Sequence, residues 1–295
     1  MKITKLRTNH FTTPLGHTLG KPVFSWVTTE TESKKQTAAQ VVVTAGGETL
    51  WDSGRREDLS SLGVEADLAL QPRTRYDWTV TVWGDGGDSA TASSWFETAK
   101  EDEPWQARWI TADFPDKETQ PLLAKTFSLK EKPVCARAYA CGLGLYELEV
   151  NGAKVGDEYL LPGFHCYYDN LEYQTFDLTD ALTAGDNAIG LHLGPGWYMG
   201  EIVFDRYKDL WGDKMQAICE VRVTTPTAAR RSWAPTRPGG PPPPRSPSAP
   251  STTGSTTTPG RPFPAGAPPA LPASPPACGW WRRSGPWWPG SGPRW

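Results

Sequence analysis

The chain has 295 residues, which is enough for two domains of ordinary size, and its 30 Lys and Arg residues nearly balance its 33 Asp and Glu residues. This balance gives no reason to expect nucleic acid or an anionic membrane as the partner. The first twenty residues contain no apolar run of signal-peptide length, and no segment approaches the roughly 20 apolar residues that span a bilayer. The sequence therefore predicts a soluble, cytoplasmic protein.

The cysteines are odd in number and show no CxxC spacing, which argues against a disulfide framework and against a zinc site. We therefore expect buried free thiols. The five cysteines are Cys135, Cys141, Cys166, Cys219 and Cys278.

Residues 1–100 contain short alternating segments separated by glycine-containing turns, which is the pattern of an all-β sandwich. In the segment RYDWTVTVWG, the two-residue period places Trp78 with other apolar residues on one face. The same period places Thr79, other polar residues and Trp83 on the opposite face. We therefore expect Trp78, together with Trp26 of an earlier strand, to pack in the core of this domain.

Residues 101–224 form a second predicted unit, which the chain enters through the charged, proline-containing linker EDEPWQARWI. Asn151 and Gly152 follow the segment YELEV and are a strong hairpin signal, because both central positions of a type I′ turn need positive φ. No segment of ten residues has the helical period. A β-sandwich of the jelly-roll type is the simplest prediction. Its strands are expected near residues 122–129, 134–141, 145–150, 173–178, 188–193 and 215–223.

Three stretches of the second unit are unusual in combination. They are GLGLYELEVNGAKVGDEYLLPGF (142–164), EYQTFDLTDAL (172–182) and GDNAIGLHLGPGWYMG (185–200). Together they resemble the N-terminal non-catalytic domain of the bacterial α-L-rhamnosidases, a family of inverting glycoside hydrolases. Upstream, PVFSWVTTETESKKQTAAQVVVTA, LWDSGR and YDWTVTVW resemble the fibronectin-III-like domain that precedes it in that family. The resemblance covers about residues 3–224.

The resemblance implies an all-β fold with two β-sandwich domains. The first, over 1–100, would be fibronectin-III-like or Ig-like, and the second, over 101–224, would be a jelly roll. In the family, further β-domains come next, and then a large (α/α)6 barrel that carries the catalytic carboxylates. The sequence contains none of that barrel, so we expect no catalytic residue in this chain. The expected function is that of an N-terminal part of an enzyme that releases terminal L-rhamnose from glycosides.

Residues 225–295 use a restricted alphabet, with 20 prolines and no Asp, Glu, Lys, Asn, Gln, His, Ile, Val, Met or Tyr. The residue types that do occur have C or G as the middle codon base, with Phe263 and Leu271 as the exceptions. A GC-rich gene read one base out of frame predicts this alphabet, because its biased third position becomes the middle position. When the reading frame is shifted back by one base, codons for STTGSTTTPG can encode IYDGEYYDAR, and codons for WAPTRPG can encode LGTDxSW. Both resemble segments that come after the jelly-roll domain in α-L-rhamnosidases.

We therefore expect a frameshift between about Thr224 and Trp233, followed over residues 225–295 by a disordered tail that cannot form a packed core. The jelly-roll domain would then lack its last strand and expose a sheet edge that promotes association. The alternative is a genuine Pro-rich disordered tail on a standalone carbohydrate-binding or adhesion module.

Two short segments of the second unit carry the residue types that bind sugars. An aromatic ring flanked by hydrogen-bonding groups suits a hexose, because the apolar C–H face stacks on the ring while the hydroxyls need polar partners. The expected partner is therefore a carbohydrate, L-rhamnose or a rhamnosylated glycoside. The candidate binding residues, from GPGWYMGE and YYDN, are Trp197, Tyr198, Glu201, Tyr167, Asp169 and Asn170. The alternative is that Trp197 and Tyr198 only pack their own loop.

The resemblance also implies a possible calcium site, because in some family members the corresponding domain binds L-rhamnose with help from calcium. Asp169, Asn170 and Asp157 offer hard oxygen ligands, although calcium takes six or more. An inverting glycosidase needs two carboxyls roughly 6.5 to 9.5 Å apart. The carboxylate clusters of the second unit lie in predicted loops, and the family carries its catalytic acids elsewhere. These clusters are Asp157 with Glu158, Glu201 with Asp205, and Asp209 with Asp213.

Overall fold

The computed structural model describes residues 1–113, 119–202 and 206–233, with the backbone alone described for 228–233. Over these residues the fold is all-β, as predicted, and the one helix has four residues. No helix in these ranges combines the length and the apolar character that crossing a bilayer requires.

The first domain is a sandwich of two sheets. Its strands are β1 (Lys2–Thr8), β2 (Leu15–His17), β3 (Val23–Thr29), β4 (Gln36–Ala45), β5 (Glu48–Asp52), β6 (Val64–Glu65), β7 (Arg75–Gly84) and β8 (Ser89–Thr98). One sheet has the order β1-β3-β6 and the other has the order β2-β8-β7-β4-β5, in which only the β2–β8 pair is parallel.

Strand β7 has the alternation that its sequence predicts. Its apolar residues from Tyr76 to Val82 are buried at every second position, whereas Thr79 and Trp83 on the opposite face are partly exposed. The Trp78 ring lies 4.6 Å from the Phe24 ring, centroid to centroid, and Trp26 is also buried. The predicted core positions of Trp26 and Trp78 are therefore confirmed.

The second domain is also a sandwich of two sheets. Its elements are β9 (Leu122–Leu129), β10 (Cys135–Leu143), β11 (Leu145–Val150), β12 (Ala153–Lys154), β13 (Gln174–Asp177), β14 (Gly185–Gly194), α1 (Gly196–Met199), β15 (Gln216–Thr225) and β16 (Ala228–Trp233). The sheets have the orders β13-β10-β15-β16 and β12-β11-β14-β9. The predicted hairpin is present, since Asn151 and Gly152 both have positive φ between β11 and β12.

The second domain extends beyond the predicted boundary at residue 224. Strand β16 pairs with β15, with Val221 opposite Trp233 and Val223 opposite Arg231. Since β15 has a neighbour on that side, the edge of this sheet in the described residues is β16 and not β15. If molecules associate through an exposed edge of this sheet, as the sequence predicts, the strand at that edge in the described residues is β16. The predicted disordered tail lies, from residue 234 onward, outside the described residues.

Strand β10 is buried on both faces, because the first domain and the linker cover its outer face. The Arg137 Nε on this face donates to Glu97 Oε1 on β8 over 3.0 Å. The Lys100 backbone N–H donates to the Tyr173 hydroxyl over 2.9 Å. We call this contact the domain seam, and it consists of residues 97–106 and Arg73 against Arg137, Tyr173 and the end of β15.

The cysteines divide by burial. Burial raises the pKa of the Cys141 and Cys219 thiols to about 12, so both are inert buried thiols as expected. Cys135 is only partly buried and Cys166 is exposed, which corrects the expectation that all were buried. Cys278 lies outside the described residues.

Candidate functional site

Two loops of the second domain, 155–173 between β12 and β13 and 195–215 between β14 and β15, carry the predicted sugar-binding residues. Half of the exposed large apolar side chains in the described part of the chain belong to these loops. They are Tyr159, Leu160, Phe164, Tyr168 and Tyr207. Apolar surface concentrated in this way is typical of an interaction site.

The helix α1 fixes the second loop against the sheet. Pro195 precedes it, and Gly196 has a φ of +49°, a conformation that favours glycine. A Cβ on Gly196 would lie 2.6 Å from the Leu145 Cγ, so the close approach also requires glycine. The single turn directs Tyr198 and Met199 inward, where they are buried, and leaves Trp197 partly exposed.

Tyr167 and Tyr198 are core residues of the loops and do not offer a free ring face. Each is only 3% exposed, and their ring centroids are 5.1 Å apart at an interplanar angle of 64°. Gly212 lies against the Tyr198 hydroxyl, because a Cβ there would be 2.0 Å from that oxygen. Both rings therefore pack within the loops, as the packing alternative expects for Tyr198, and the sugar-binding role of Tyr167 and Tyr198 stays a prediction that this burial does not favour.

The exposed aromatic surface centres on Phe164, which is 58% exposed. Its ring meets those of Trp197 and Trp211 edge to face, with centroid distances of 6.2 and 5.6 Å. Tyr168, also exposed, donates its hydroxyl proton to the Leu210 carbonyl over 3.0 Å. We call Phe164, Tyr168, Trp197 and Trp211 the aromatic patch. Of these, the sequence prediction included only Trp197.

Glu201 lies at the end of the α1 loop and is held by two cations. Its Oε2 accepts from Arg206 Nε over 2.6 Å, and its Oε1 lies 3.5 Å from Lys208 Nζ. The hydrogen bond from Arg206 lowers the pKa of this exposed carboxyl. Glu201 is therefore an ionised acceptor and lacks the raised pKa of a general acid. Asp205, its proposed neighbour, lies outside the described residues.

The predicted calcium ligands do not fit a calcium site. Asp169 and Asn170 are exposed on a turn, in which their backbone N–H groups donate to the Cys166 carbonyl over 2.7 and 2.9 Å. Asp157 is exposed on the loop after β12. Within the described ranges, no three His, Cys, Asp or Glu side chains come together to hold a metal ion. A calcium ion takes six or more oxygen ligands, so this donor set falls short.

Behind the aromatic patch lies a buried polar pair. His165 is 5% exposed and its ring centroid lies 5.7 Å from that of Tyr167. Neither imidazole nitrogen nor the Tyr167 hydroxyl makes a hydrogen bond of good geometry with the described residues, although the Pro162 backbone lies near His165 and the His165 backbone lies near the Tyr167 hydroxyl. Burial lowers the pKa of His165 and raises the pKa of Tyr167 to about 12, so both side chains are neutral at pH 7.

Two family models match this chain. The model of the Rha78A-like N-terminal immunoglobulin domain matches residues 3–102, and that of the α-L-rhamnosidase N-terminal domain matches residues 131–234. These ranges agree with the two sandwiches of the fold.

Curated relatives match over the same part. An α-L-rhamnosidase of Formosa agariphila is 29% identical over 250 residues, which are 75% of this chain and 26% of the relative. One of Streptomyces avermitilis is 35% identical over 125 residues, which are 39% of this chain and 12% of the relative. The matched part of the chain thus spans about a quarter of the length of the Formosa agariphila relative and a smaller share of the Streptomyces avermitilis relative.

Solved structures of α-L-rhamnosidases share the fold. The structure from Aspergillus terreus has a TM-score of 0.68 at 29% identity, covering 78% of this chain and 28% of that chain. The structure from Dictyoglumus thermophilum has a TM-score of 0.66 at 28% identity, covering 79% of this chain and 29% of that chain. A Streptomyces avermitilis structure in complex with L-rhamnose has a TM-score of 0.66 at 20% identity, covering 79% of this chain and 40% of that chain, which shows a common fold. Over residues 3–102 and 131–234 the chain therefore carries the two N-terminal domains of an α-L-rhamnosidase.

Proposed function

We propose that this chain is the non-catalytic N-terminal part of an α-L-rhamnosidase, an enzyme that hydrolyses terminal L-rhamnose from glycosides. The ordered match of two N-terminal domain models over residues 3–102 and 131–234 supports this proposal.

The aromatic patch is the part of this chain that binds sugar in this proposal. The exposed Phe164 ring offers a face for the apolar C–H groups of a hexose, and the Trp197 and Trp211 rings flank it. The ionised Glu201 carboxylate on the α1 loop provides an acceptor for sugar hydroxyls. Two exposed rings, Phe164 and Tyr168, with few polar groups support weak binding, with a dissociation constant of about 1 mM.

Titration of the 295-residue chain with L-rhamnose, followed by NMR or calorimetry, tests sugar binding. Phe164→Ala should abolish saturation up to the concentration at which the unchanged chain is saturated. Leu62→Ala is the matched control, because Leu62 is another exposed apolar residue and lies in the first domain. Equal affinity for L-rhamnose and D-glucose, or equal affinity in the Phe164 variant, would contradict the proposal.

The tail is explained by a change of reading frame in this proposal. The family match reaches residue 234 and β16 reaches Trp233, which supports a frame change near the far end of the interval expected from the sequence. Resequencing the gene from codon 220 onward is the test. One added or missing base that restores IYDGEYYDAR supports the proposal. An unchanged frame with ordinary codon usage would contradict it and favour a standalone carbohydrate-binding module.

A further inference from the structure

The linker between the two domains, residues 101–110, is fixed along the second domain. Ile110 exchanges two backbone hydrogen bonds with Ala217 of β15, each over 2.9 Å. The Gln106 backbone N–H donates to Glu220 Oε2 over 2.9 Å, and the Glu220 side chain is fully buried. The linker is therefore held against β15 and is not a loose connection.

The loop that carries part of the aromatic patch ends at this linker. Tyr173, the last residue of the loop 155–173, accepts a hydrogen bond at its hydroxyl from the Lys100 backbone N–H over 2.9 Å. The Tyr173 ring meets the Trp105 ring edge to face, with a centroid distance of 5.5 Å. The hydroxyl and the ring of Tyr173 are thus both held by residues at the junction of the two domains.

Leu171, two residues before Tyr173, connects the linker with the base of the aromatic patch. It packs against the apolar cluster that contains Ala107 of the linker. It also packs against the core of the second domain, to which Tyr167 belongs. The turn over residues 166–170, closed by backbone hydrogen bonds of 2.7 and 2.9 Å, leaves little free chain between them. A displacement of Leu171 is therefore passed on to Tyr167.

Gln174, the first residue of β13, connects Tyr173 with the other half of the same loop. Its Nε2 donates to the Pro162 carbonyl over 3.4 Å, two residues before the exposed Phe164. Its Oε1 accepts from the Tyr146 hydroxyl over 2.6 Å, which fixes the orientation of the amide. The position of Tyr173 therefore affects both halves of the loop.

We propose that Tyr173 is a positioning residue for the aromatic patch, because its hydrogen bond with Lys100 fixes the end of the loop that carries Phe164 and Tyr168. The first domain and the linker then determine the shape of the surface that meets the sugar. The effect on sugar binding rests on the proposed function. The effect on the order of the loop does not, since it concerns the chain without sugar.

Hydrogen exchange of the 295-residue chain tests the positioning role in the absence of sugar. Tyr173→Phe keeps the ring and removes the acceptor of the Lys100 N–H. We expect the exchange of residues 164–173 to become about fivefold faster, which is the scale of one neutral hydrogen bond. The amides of β14 report on opening of the whole domain and should keep their rates. Unchanged exchange of residues 164–173, or an equal rise in β14, would overturn the proposal.

Tyr76→Phe is the matched control. The Tyr76 hydroxyl accepts from the Gln71 backbone N–H over 2.7 Å within the first domain, so this change also removes a tyrosine acceptor from a backbone donor. It should leave the exchange of residues 164–173 unchanged. A rise equal to that of the Tyr173 variant would show that the contact with Lys100 is not the cause, and it would overturn the proposal.

Titration of the same three chains with L-rhamnose tests the consequence for recognition. Tyr173→Phe should weaken the affinity about twofold, because a loop that spends less time in its binding form lowers the apparent affinity. Tyr76→Phe should leave it unchanged. Faster exchange with unchanged affinity would overturn the role of Tyr173 in recognition. If the unchanged chain binds no L-rhamnose, the proposed function fails, and the exchange rates alone decide the positioning role.

Discussion

The domain seam and the aromatic patch are built in opposite ways, although both connect segments that are distant in the sequence. The seam buries charged side chains, such as Arg137 and Glu97, in pairs that satisfy each other. The patch exposes apolar rings, such as Phe164, on a base of buried tyrosines. A buried ion pair fixes a geometry because a lone partner is costly, whereas an exposed ring is available for a ligand. The seam is therefore the structural region, and the patch is the proposed recognition surface.

The largest expected effect breaks the seam. Arg137→Met should lower the free energy of unfolding by about 3 to 5 kcal/mol, because Glu97 would remain as an uncompensated buried charge. Urea denaturation measures the loss. The double variant Arg137→Met with Glu97→Leu should recover much of it, since a packed apolar pair can replace a buried ion pair. A double variant as unstable as the single one would show that the charge of Glu97 is not the cause.

The next test separates the base of the aromatic patch from its surface. Tyr198→Ala should lower the free energy of unfolding by about 3 to 5 kcal/mol, because it leaves a cavity where a buried ring packs on Tyr167. Phe164→Ala should cost less than about 1 kcal/mol, because its ring is mostly exposed. Thermal and urea unfolding of the two variants make the comparison. Similar losses would mean that Phe164 is part of the core.

How much of this could be predicted from the sequence differs between strands and loops. Within a strand, the two-residue period assigns faces, so the burial of Trp78 and the partial exposure of Trp83 followed directly. The loops have no period. The sequence could show that GPGWYMG was unusual, but it could not show that Tyr198 points inward, which depends on the positive φ of Gly196 and on contact with Leu145.

The domain seam was not predicted for a related reason. Arg137 is the one charged residue in the strand CARAYACGL, and a charge in an otherwise apolar strand predicts a partner without identifying it. That partner, Glu97, lies 40 residues away in another domain. The sequence does contain one useful signal: β10 is apolar or small at nearly every position, and this pattern predicts a strand that is buried on both faces.

A smaller effect concerns the pH dependence of stability, and it involves one histidine in the first domain and one behind the aromatic patch. Burial lowers the pKa of His17 in the first domain and of His165 behind the aromatic patch. Both are neutral in the folded state, whereas the unfolded chain takes up protons below about pH 6.5. Their contribution to stability is therefore fully present above that pH and is lost as the pH falls toward their lower folded pKa values.

Urea midpoints measured between pH 8 and pH 5.5 test this dependence. The midpoint should fall below about pH 6.5, and His165→Asn with His17→Asn together should flatten the curve. Each single variant assigns its share to one domain. An unchanged slope in the double variant would show that other groups cause the pH dependence.

The smallest expected effect on stability is that of Glu201→Gln. This carboxylate and its partner Arg206 are exposed, so removing the charge should leave the unfolding midpoint unchanged. The same change should weaken L-rhamnose binding about tenfold, because an ionised acceptor makes stronger hydrogen bonds than an amide. Since the pKa of Glu201 is lowered, the affinity of the unchanged chain should stay constant from pH 8 to pH 5.5. Glu30→Gln, which alters an exposed pair with Lys2 in the first domain, is the control. A shifted unfolding midpoint with unchanged affinity for L-rhamnose would mean that Glu201 stabilises its loop and does not bind the sugar.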